Sequence, residues 1–292
     1  MIISNIIGGL GNQMFQYAAA RALALRRGVP LYLDISGFAS YGLHQGFELQ
    51  RVFGCTTPIA TAKDISGILG WQSQPAVRRV LTRPRFSMLR RPGFVVEPSF
   101  HYWLGINNVP TDCFLFGYWQ SEKYFRDAEQ AIRSEFTFAQ SPSLRNKELA
   151  DQIGQTDAIS LHVRRGDYAQ NAKTKAVYGL CSLEFYQSAI RYLAERVDRP
   201  SFFIFSDDPI WVRNNLKIDF PCCFVDHNQG KESYNDMRLM SLCKHHIIAN
   251  SSFSWWGAWL NPQPEKVVIA PGRWFVNDNN VADLFPQDWV VL

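Results

Sequence analysis

The sequence predicts an α/β protein made of two Rossmann-like domains in series, and three observations predict it. The chain opens with an apolar run, a glycine-rich turn, an alanine-rich helical stretch and a second apolar run, the order of a βαβ unit. Beyond residue 155 apolar runs again alternate with helical stretches. Two of those later runs end directly in charged residues, Val163-Arg164-Arg165-Gly166-Asp167 and Ser206-Asp207-Asp208. Buried strands do this where their carboxyl ends carry a ligand site.

The first unit begins with Ile2, Ile3, Ile6 and Ile7, followed by Gly8-Gly9-Leu10-Gly11-Asn12-Gln13. A helix is expected from Met14 to Arg27, ending at Gly28 with two arginines at the negative end of its dipole. Val29 to Leu33 then reads as a strand closed by Asp34. Residues 40–115 give no clear periodicity, but no acidic residue falls between Asp64 and Glu97 while Arg78, Arg79, Arg83, Arg85, Arg90 and Arg91 all do. Such a run reads as a solvated face, or as attraction to an anionic membrane surface or acceptor. Cys113 to Phe116 reads as a strand leading into Gly117-Tyr118-Trp119-Gln120-Ser121-Glu122 and a helix towards Phe136.

The polar segment from Ser141 to Gln155 is the expected linker, dividing the chain into domains 1–150 and 151–292. Beyond it, strands are expected at 158–163, 202–205, 246–249 and 266–270, and helices near 183–196, 209–216, 236–244 and 253–260.

Bulk properties narrow the function. With 292 residues, 47% of them apolar, the chain can bury two cores. A net charge of +4 suits a small anionic ligand better than a nucleic-acid track. The cysteines at 55, 113, 181, 222, 223 and 243 include no CxxC pair, which reads as free thiols in a reducing compartment. No signal peptide and no run of the roughly 18 apolar residues of a membrane helix is evident, so a cytoplasmic protein, at most peripheral to a membrane, is expected.

Four places can carry chemistry. Arg164 and Arg165 present planar forks of donors that match phosphate oxygens, so a diphosphate is the natural ligand, with an Arg–Asp ion pair holding a loop as the structural alternative. Asp208 reads as the N-cap of a helix beginning at Pro209, which leaves Asp207 the less easily explained. Asp236, at the start of a helix, can cap it or accept from the two N–H donors of a guanine. Asn250-Ser251-Ser252-Phe253 breaks a strand before a helix and offers hydroxyls and N–H groups to a phosphate. Trp255 and Trp256, at adjacent helical positions, cannot both line a pocket. Gly9 and Gly11 allow close backbone approach, but Met14 stands where a dinucleotide fingerprint needs its third glycine, so NAD or FAD is disfavoured. No metal-binding spacing is present.

Taken together, GGLGNQMFQYA, GYWQSEKYF, HVRRGDY, FSDDP and NSSFSWWGAWL, in this order, resemble bacterial α-1,2-fucosyltransferases of glycosyltransferase family 11. The resemblance implies a GT-B fold with two facing Rossmann-like domains, the first on the acceptor side. It implies GDP-fucose as donor substrate, no cofactor or divalent metal, and inverting transfer to the 2-hydroxyl of a terminal β-galactoside on an oligosaccharide or lipid-linked glycan such as O-antigen. It implies Arg164 at the diphosphate, Arg165 supporting the loop or reaching the donor from its rim, and His162 and Asp236 at the guanine. Ser251, Ser252 and Phe253 fall at the β-phosphate, and Gly9, Gly11 and Asn12 at the N-terminal turn. The general base does not carry over: related α-1,6 enzymes have a glutamate eight residues beyond the first arginine, where this chain has Ala172. Asp167, Glu184, Asp34 and Glu122 are the candidates, Asp167 being nearest the motif.

Overall fold

The computed structural model of the chain describes residues 1–40, 44–166, 176–276 and 281–292. The chain divides into two compact units, Met1–Ala139 and Gln140–Leu292, each an α/β body around a wholly parallel sheet.

In the first unit the sheet order is β2-β1-β4-β3, with β1 (Ile2–Asn5), β2 (Leu31–Asp34), β3 (Phe94–Val96) and β4 (Cys113–Phe116). β1 and β2 are joined by the helix Leu10–Arg27. Ala18, Ala19, Ala20, Ala22 and Ala24 on that helix are all buried, and their small side chains let it lie close to the sheet. The helix ends as its sequence requires, with Gly28 at φ 62° donating to the carbonyls of Ala24 and Leu25. Its start differs from expectation: Gly9 is the N-cap, so Gly11 and Asn12 belong to the first helical turn. The residue that needs glycine for its backbone is Gly8, at φ 81°.

The long stretch with no sequence periodicity is made of short helices, Leu49–Phe53, Ala62–Leu69 and Pro75–Leu81, with 3₁₀ turns between them. Part of its arginine run is internal. Arg78 lies over the Phe114 ring at 5.2 Å and pairs with the buried Asp34 at 2.7 Å. Arg90 reaches back to the carbonyls of Leu81, Thr82 and Arg83 and so satisfies the open end of the helix Pro75–Leu81.

In the second unit the order is β10-β9-β8-β5-β6-β7. The strands are β5 (Asp157–Val163), β6 (Pro200–Ser206), β7 (Cys222–Val225), β8 (His245–Ile247), β9 (Val268–Ala270) and β10 (Val290–Val291). β5 is central and apolar along most of its length, as a strand covered on both faces must be. Its Ile159, Leu161 and Val163 pack with Tyr186, Ile190 and Leu193 of the helix Leu183–Ala194 and with Phe202 and Ile204 of β6. Trp255 and Trp256 are both fully buried, in a cluster with Trp259 and Trp289.

The expected linker is a helix, Leu144–Gly154, capped by the Ser143 hydroxyl, which accepts from the Asn146 N–H at 3.3 Å. The division therefore falls at residue 139, ahead of the expected 150, and this helix belongs to the second unit. It buries only Asn146, Leu149 and Ile153, a one-residue-wide seam too thin to register against its polar remainder. β3, β7 and β10, also unforeseen, are three, four and two residues long.

Asp34 binds the edge of the first sheet together: its carboxylate accepts from Arg78, from the Ser36 N–H at 3.0 Å and from Asn5 at 3.2 Å. Burial alone would raise this carboxyl, but Ser36 and Arg78 outweigh burial and hold it below the ordinary carboxylate range. A depressed folded value contributes stability above the unfolded carboxylate range that is lost as pH falls through the folded value. Asp34→Ala is expected to cost about 3 kcal/mol in urea unfolding at neutral pH, because it leaves a nearly buried guanidinium unpaired.

Candidate active site

In both units the order of the strands reverses beside a central strand, and ligands of open parallel sheets settle outside the carboxyl ends at such a point. In the second unit the reversal lies between β5 and β8, followed in the chain by Arg164–Gly166 and by Ala249–Phe253 respectively.

The register of β5 against β6 sets the geometry. Val163 is level with Ser206, which puts Arg164 beside Asp207. The Arg164 guanidinium meets the Asp207 carboxylate at 2.7 Å, both side chains about a quarter exposed. The other Asp207 oxygen accepts the Arg165 N–H at 2.8 Å. Arg165 itself turns to Asp208 at 3.3 Å and stacks on the Trp211 indole, 3.6 Å from its ring centroid. Asp208 also caps the helix Pro209–Asn215 through the Trp211 N–H, as its sequence position suggests. Gly166 is there for room: a Cβ would lie 2.5 Å from Asp207 Oδ2.

His162 closes the inner side. The residue is 6% exposed, its ring centroid 6.0 Å from that of Phe253, and its buried Nδ1 has no hydrogen-bond partner among the described residues. Burial pushes its pKa down to about 4; Arg164 adds to the shift and Asp207 opposes it. An orphaned polar atom of this kind in a native protein marks a place where something else hydrogen-bonds.

Asp236 lies in the first turn of the helix Tyr234–Leu242 but does not cap it. Its carboxylate accepts from Asn228 at 2.8 Å, and Asn228 and Asn146 exchange a reciprocal pair of amide bonds at 2.9 and 3.0 Å. His227 Nε2 closes the chain onto Asn146 at 2.8 Å. Burial, with Asp226 adding and Asn228 opposing, lifts the Asp236 carboxyl to about 7. Sequence reasoning missed this amide network, although Asp226-His227-Asn228 directly follows β7.

Ser251 is the N-cap of the helix Ser252–Leu260, its hydroxyl accepting the Phe253 N–H at 3.3 Å. Asn250, which the sequence placed in the same strand break, has a structural task. Its side chain donates to the carbonyls of Tyr178 and Trp274 at 2.9 and 3.3 Å, fastening two passing segments to the end of β8.

In the first unit the corresponding edge lies between β1 and β4. A Cβ on Gly9 would come within 3.3 Å of the His44 ring, and one on Gly8 within 2.8 Å of Asn12. Asn12 Oδ1 accepts from Gln120 at 2.7 Å. Gln13 ties the turn down, donating to the carbonyls of Gly8 and Gly46 and accepting from the Glu48 N–H. Glu97, just beyond β3, was also missed: its two oxygens accept the Tyr118 and Trp119 N–H groups at 2.6 and 2.9 Å. It thereby holds Trp119 at φ 55°, an uncommon conformation for a large side chain. Burial lifts the Glu97 carboxyl to about 7 against those two bonds. A cavity of about 490 Å³ in this unit lies elsewhere, at the Pro30–Leu31 start of β2.

The proposed bases are scattered. Asp34 is engaged by Arg78 and Ser36, Glu184 is exposed at the start of its helix, and Glu122 opens a 3₁₀ turn. Asp167 and Ala172 lie outside the described residues. Among the described residues no three His, Cys, Asp or Glu side chains gather as a metal site.

The profile of the family described as "Glycosyl transferase family 11" matches residues 100–292, about two thirds of the chain and all of the second unit. The chain belongs to glycosyltransferase family 11. The α-1,2-colitosyltransferase of Escherichia coli is 37% identical over 99% of this chain and 98% of its own length. The O-antigen biosynthesis glycosyltransferase WbnK, also of E. coli, is 32% identical over 99% of both. Among solved structures the fold is similar to that of NodZ from Bradyrhizobium, an α-1,6-fucosyltransferase co-crystallised with GDP. The match has a TM-score of 0.51 at 16% identity and covers 89% of this chain and 92% of NodZ.

The two shifted groups, His162 and Asp236, have opposite linkage. His162, depressed to about 4, contributes stability above its unfolded value near 6.5 that is lost as pH falls towards 4. Asp236, raised to about 7, contributes stability at low pH that is lost as pH rises through 7. Comparing urea stability of wild type and His162→Gln between pH 7 and 4 separates them. The wild type should lose on the order of 3 kcal/mol more than the variant over that window.

Proposed function

We propose that the chain is an inverting glycosyltransferase that moves L-fucose from GDP-β-L-fucose to the 2-hydroxyl of a terminal β-galactoside, in cytoplasmic assembly of a surface glycan or O-antigen. The observation that carries the reading is Arg164, aimed by Asp207 at the carboxyl end of β5 beside a buried neutral histidine with an orphaned Nδ1. Such a place takes a nucleoside diphosphate: the guanidinium for the phosphates, His162 and Asp236 for the base. Membership of family 11 supports it, as does the α-1,2 linkage in the name of the 37% identical relative. The two parallel-sheet units fit the halves of a GT-B enzyme.

In this reading the acceptor oxygen attacks the anomeric carbon of fucose as the bond to the β-phosphate oxygen breaks. GDP leaves with the electron pair, and the 2-hydroxyl proton passes to a base, for which Asp167 is our candidate. Arg164 offsets the charge that develops on the departing diphosphate, assisted by the N–H groups at the start of the helix Ser252–Leu260, and no metal is assigned to that task. Arg165 and Asp208 brace the loop from its rim. Gly9, Gly11 and Asn12 of the first unit serve the acceptor side.

A second reading keeps the site and changes the sugar, because the 37% identical relative is a colitosyltransferase. Colitose is fucose without its 3-hydroxyl, and nothing that grips GDP distinguishes the two.

The test is acceptor-dependent GDP release in EDTA from GDP-fucose and GDP-colitose. The acceptors are lactose, Galβ1-3GalNAc and Galβ1-4GlcNAc, and the product linkage is read by NMR. Release with GDP-fucose and an α-1,2 product supports the first reading; turnover confined to GDP-colitose selects the second; none with either overturns both. Arg164→Ala should lower kcat/KM by roughly 10²- to 10³-fold, the loss typical of a removed oxyanion donor.

The raised Asp236 carboxyl gives the reaction a pH signature. If its ionised form accepts guanine N–H groups, KM for the donor rises as pH falls below about 7. In Asp236→Asn the KM should be high throughout and that limb of the profile flat.

A further inference from the structure

The first unit carries a surface that the transfer reaction leaves unused. From Ile65 to Val96 the chain has no acidic residue and six arginines. Two are internal: Arg78 is spent on Asp34, and Arg90 on the carbonyls that end the helix Pro75–Leu81. The other four, Arg79, Arg83, Arg85 and Arg91, are exposed and have no ion-pair partner among the described residues.

Interleaved with them are four large apolar side chains turned to solvent: Met88 at 96% exposure, Trp71 at 66%, Leu89 at 61% and Val80 at 43%. These residues sit on ordered backbone. Gln72, itself buried, donates to the Leu89 carbonyl at 2.8 Å and accepts the Arg91 N–H at 3.0 Å, so the turn bearing Trp71 is tied to the one bearing Met88 and Leu89. The Arg90 guanidinium ties that second turn to the end of the helix bearing Val80 and Arg79. Scattered exposed apolar residues are ordinary on a protein surface; four on segments tied to one another and interleaved with exposed arginines are not.

We propose that this face docks on an anionic phospholipid bilayer, with Trp71, Met88 and Leu89 entering the headgroup boundary and Arg79, Arg83, Arg85 and Arg91 against the lipid phosphates. The chemistry selects this occupant. Lipid headgroups supply the phosphate oxygens that arginine forks match and the negative surface potential that a one-signed patch follows. The acyl boundary beneath accepts apolar side chains that project too far to be covered by their own fold, and tryptophan favours that depth. None of the described helices is long and apolar enough to cross a membrane, so attachment of this kind would be peripheral. The inference does not depend on the donor or acceptor proposed above.

Co-sedimentation with vesicles tests it, comparing phosphatidylcholine alone with phosphatidylcholine mixed with phosphatidylglycerol. The full-length chain should bind the mixed vesicles, weaken as salt rises, and bind the neutral vesicles at least about tenfold less. Arg79→Glu/Arg83→Glu/Arg85→Glu and, separately, Met88→Ser/Leu89→Ser should each lose at least about tenfold in partitioning to mixed vesicles while melting at the wild-type temperature. Of those side chains only Arg85 has a contact of note, its guanidinium 4.7 Å from the Phe86 ring centroid, and an unchanged melt shows that the loss is one of binding. Equal partitioning to both vesicle types, no binding to either, or variants that melt normally and bind like wild type would each overturn the proposal.

Discussion

One carboxylate organises the end of the second sheet. Asp207 meets the Arg164 side chain with one oxygen and the Arg165 backbone with the other, so the direction of the first arginine and the path of the chain after it are set by the same group. A lone guanidinium at the end of a strand would sample several rotamers. Held against a partly buried partner, it loses that freedom during folding rather than on binding, which is the physical content of preorganisation. Gly166 is part of the same arrangement, since any side chain there would displace the carboxylate. The charge lies on a loop, but its position is determined by strand register, because β5 and β6 are paired along their whole length.

Two groups of the second unit have had their charge suppressed. His162 is kept neutral by burial, and Asp236 is lifted to about 7 although an amide donates to it. Both effects follow from the low dielectric at the end of a fully covered sheet, where an unpaired ion is costly and a neutral donor or acceptor is retained. Such groups read hydrogen-bond patterns rather than charge. In the proposed reading these are two tasks: a cation for anionic oxygens, and groups of suppressed charge for a heterocycle.

Much of this was legible in the sequence because strand ends in parallel sheets are abrupt: an apolar run followed by Arg-Arg, Asp-Asp or Asn-Ser-Ser has few structural readings. The opening βαβ unit was legible because Gly28 and the paired arginines stop its helix. The helix Leu144–Gly154 was not, since its buried seam is three residues in a polar segment. Asn146, Asn228 and Glu97 escaped for another reason: each acts on a partner far along the chain, and no local pattern distinguishes a polar residue that will be buried from one that will face water. Asp34 shows the converse. It stood among the possible bases by position, yet Arg78, forty-four residues on, engages it. The contacts that orient Arg164 and Asp236 are fixed by the fold.

The internal use of Arg78 and Arg90 also bears on how charge is counted. By composition the segment from Ile65 to Val96 presents six positive charges, but one is balanced by a carboxylate and another is held against the carbonyl end of a helix, which offsets it in part. The exposed charge is therefore carried mainly by the other four arginines. Substitution at those four changes the charge that the surface presents. The other two are bound to the architecture, and their loss would register as a change of shape before it registered as a change of charge.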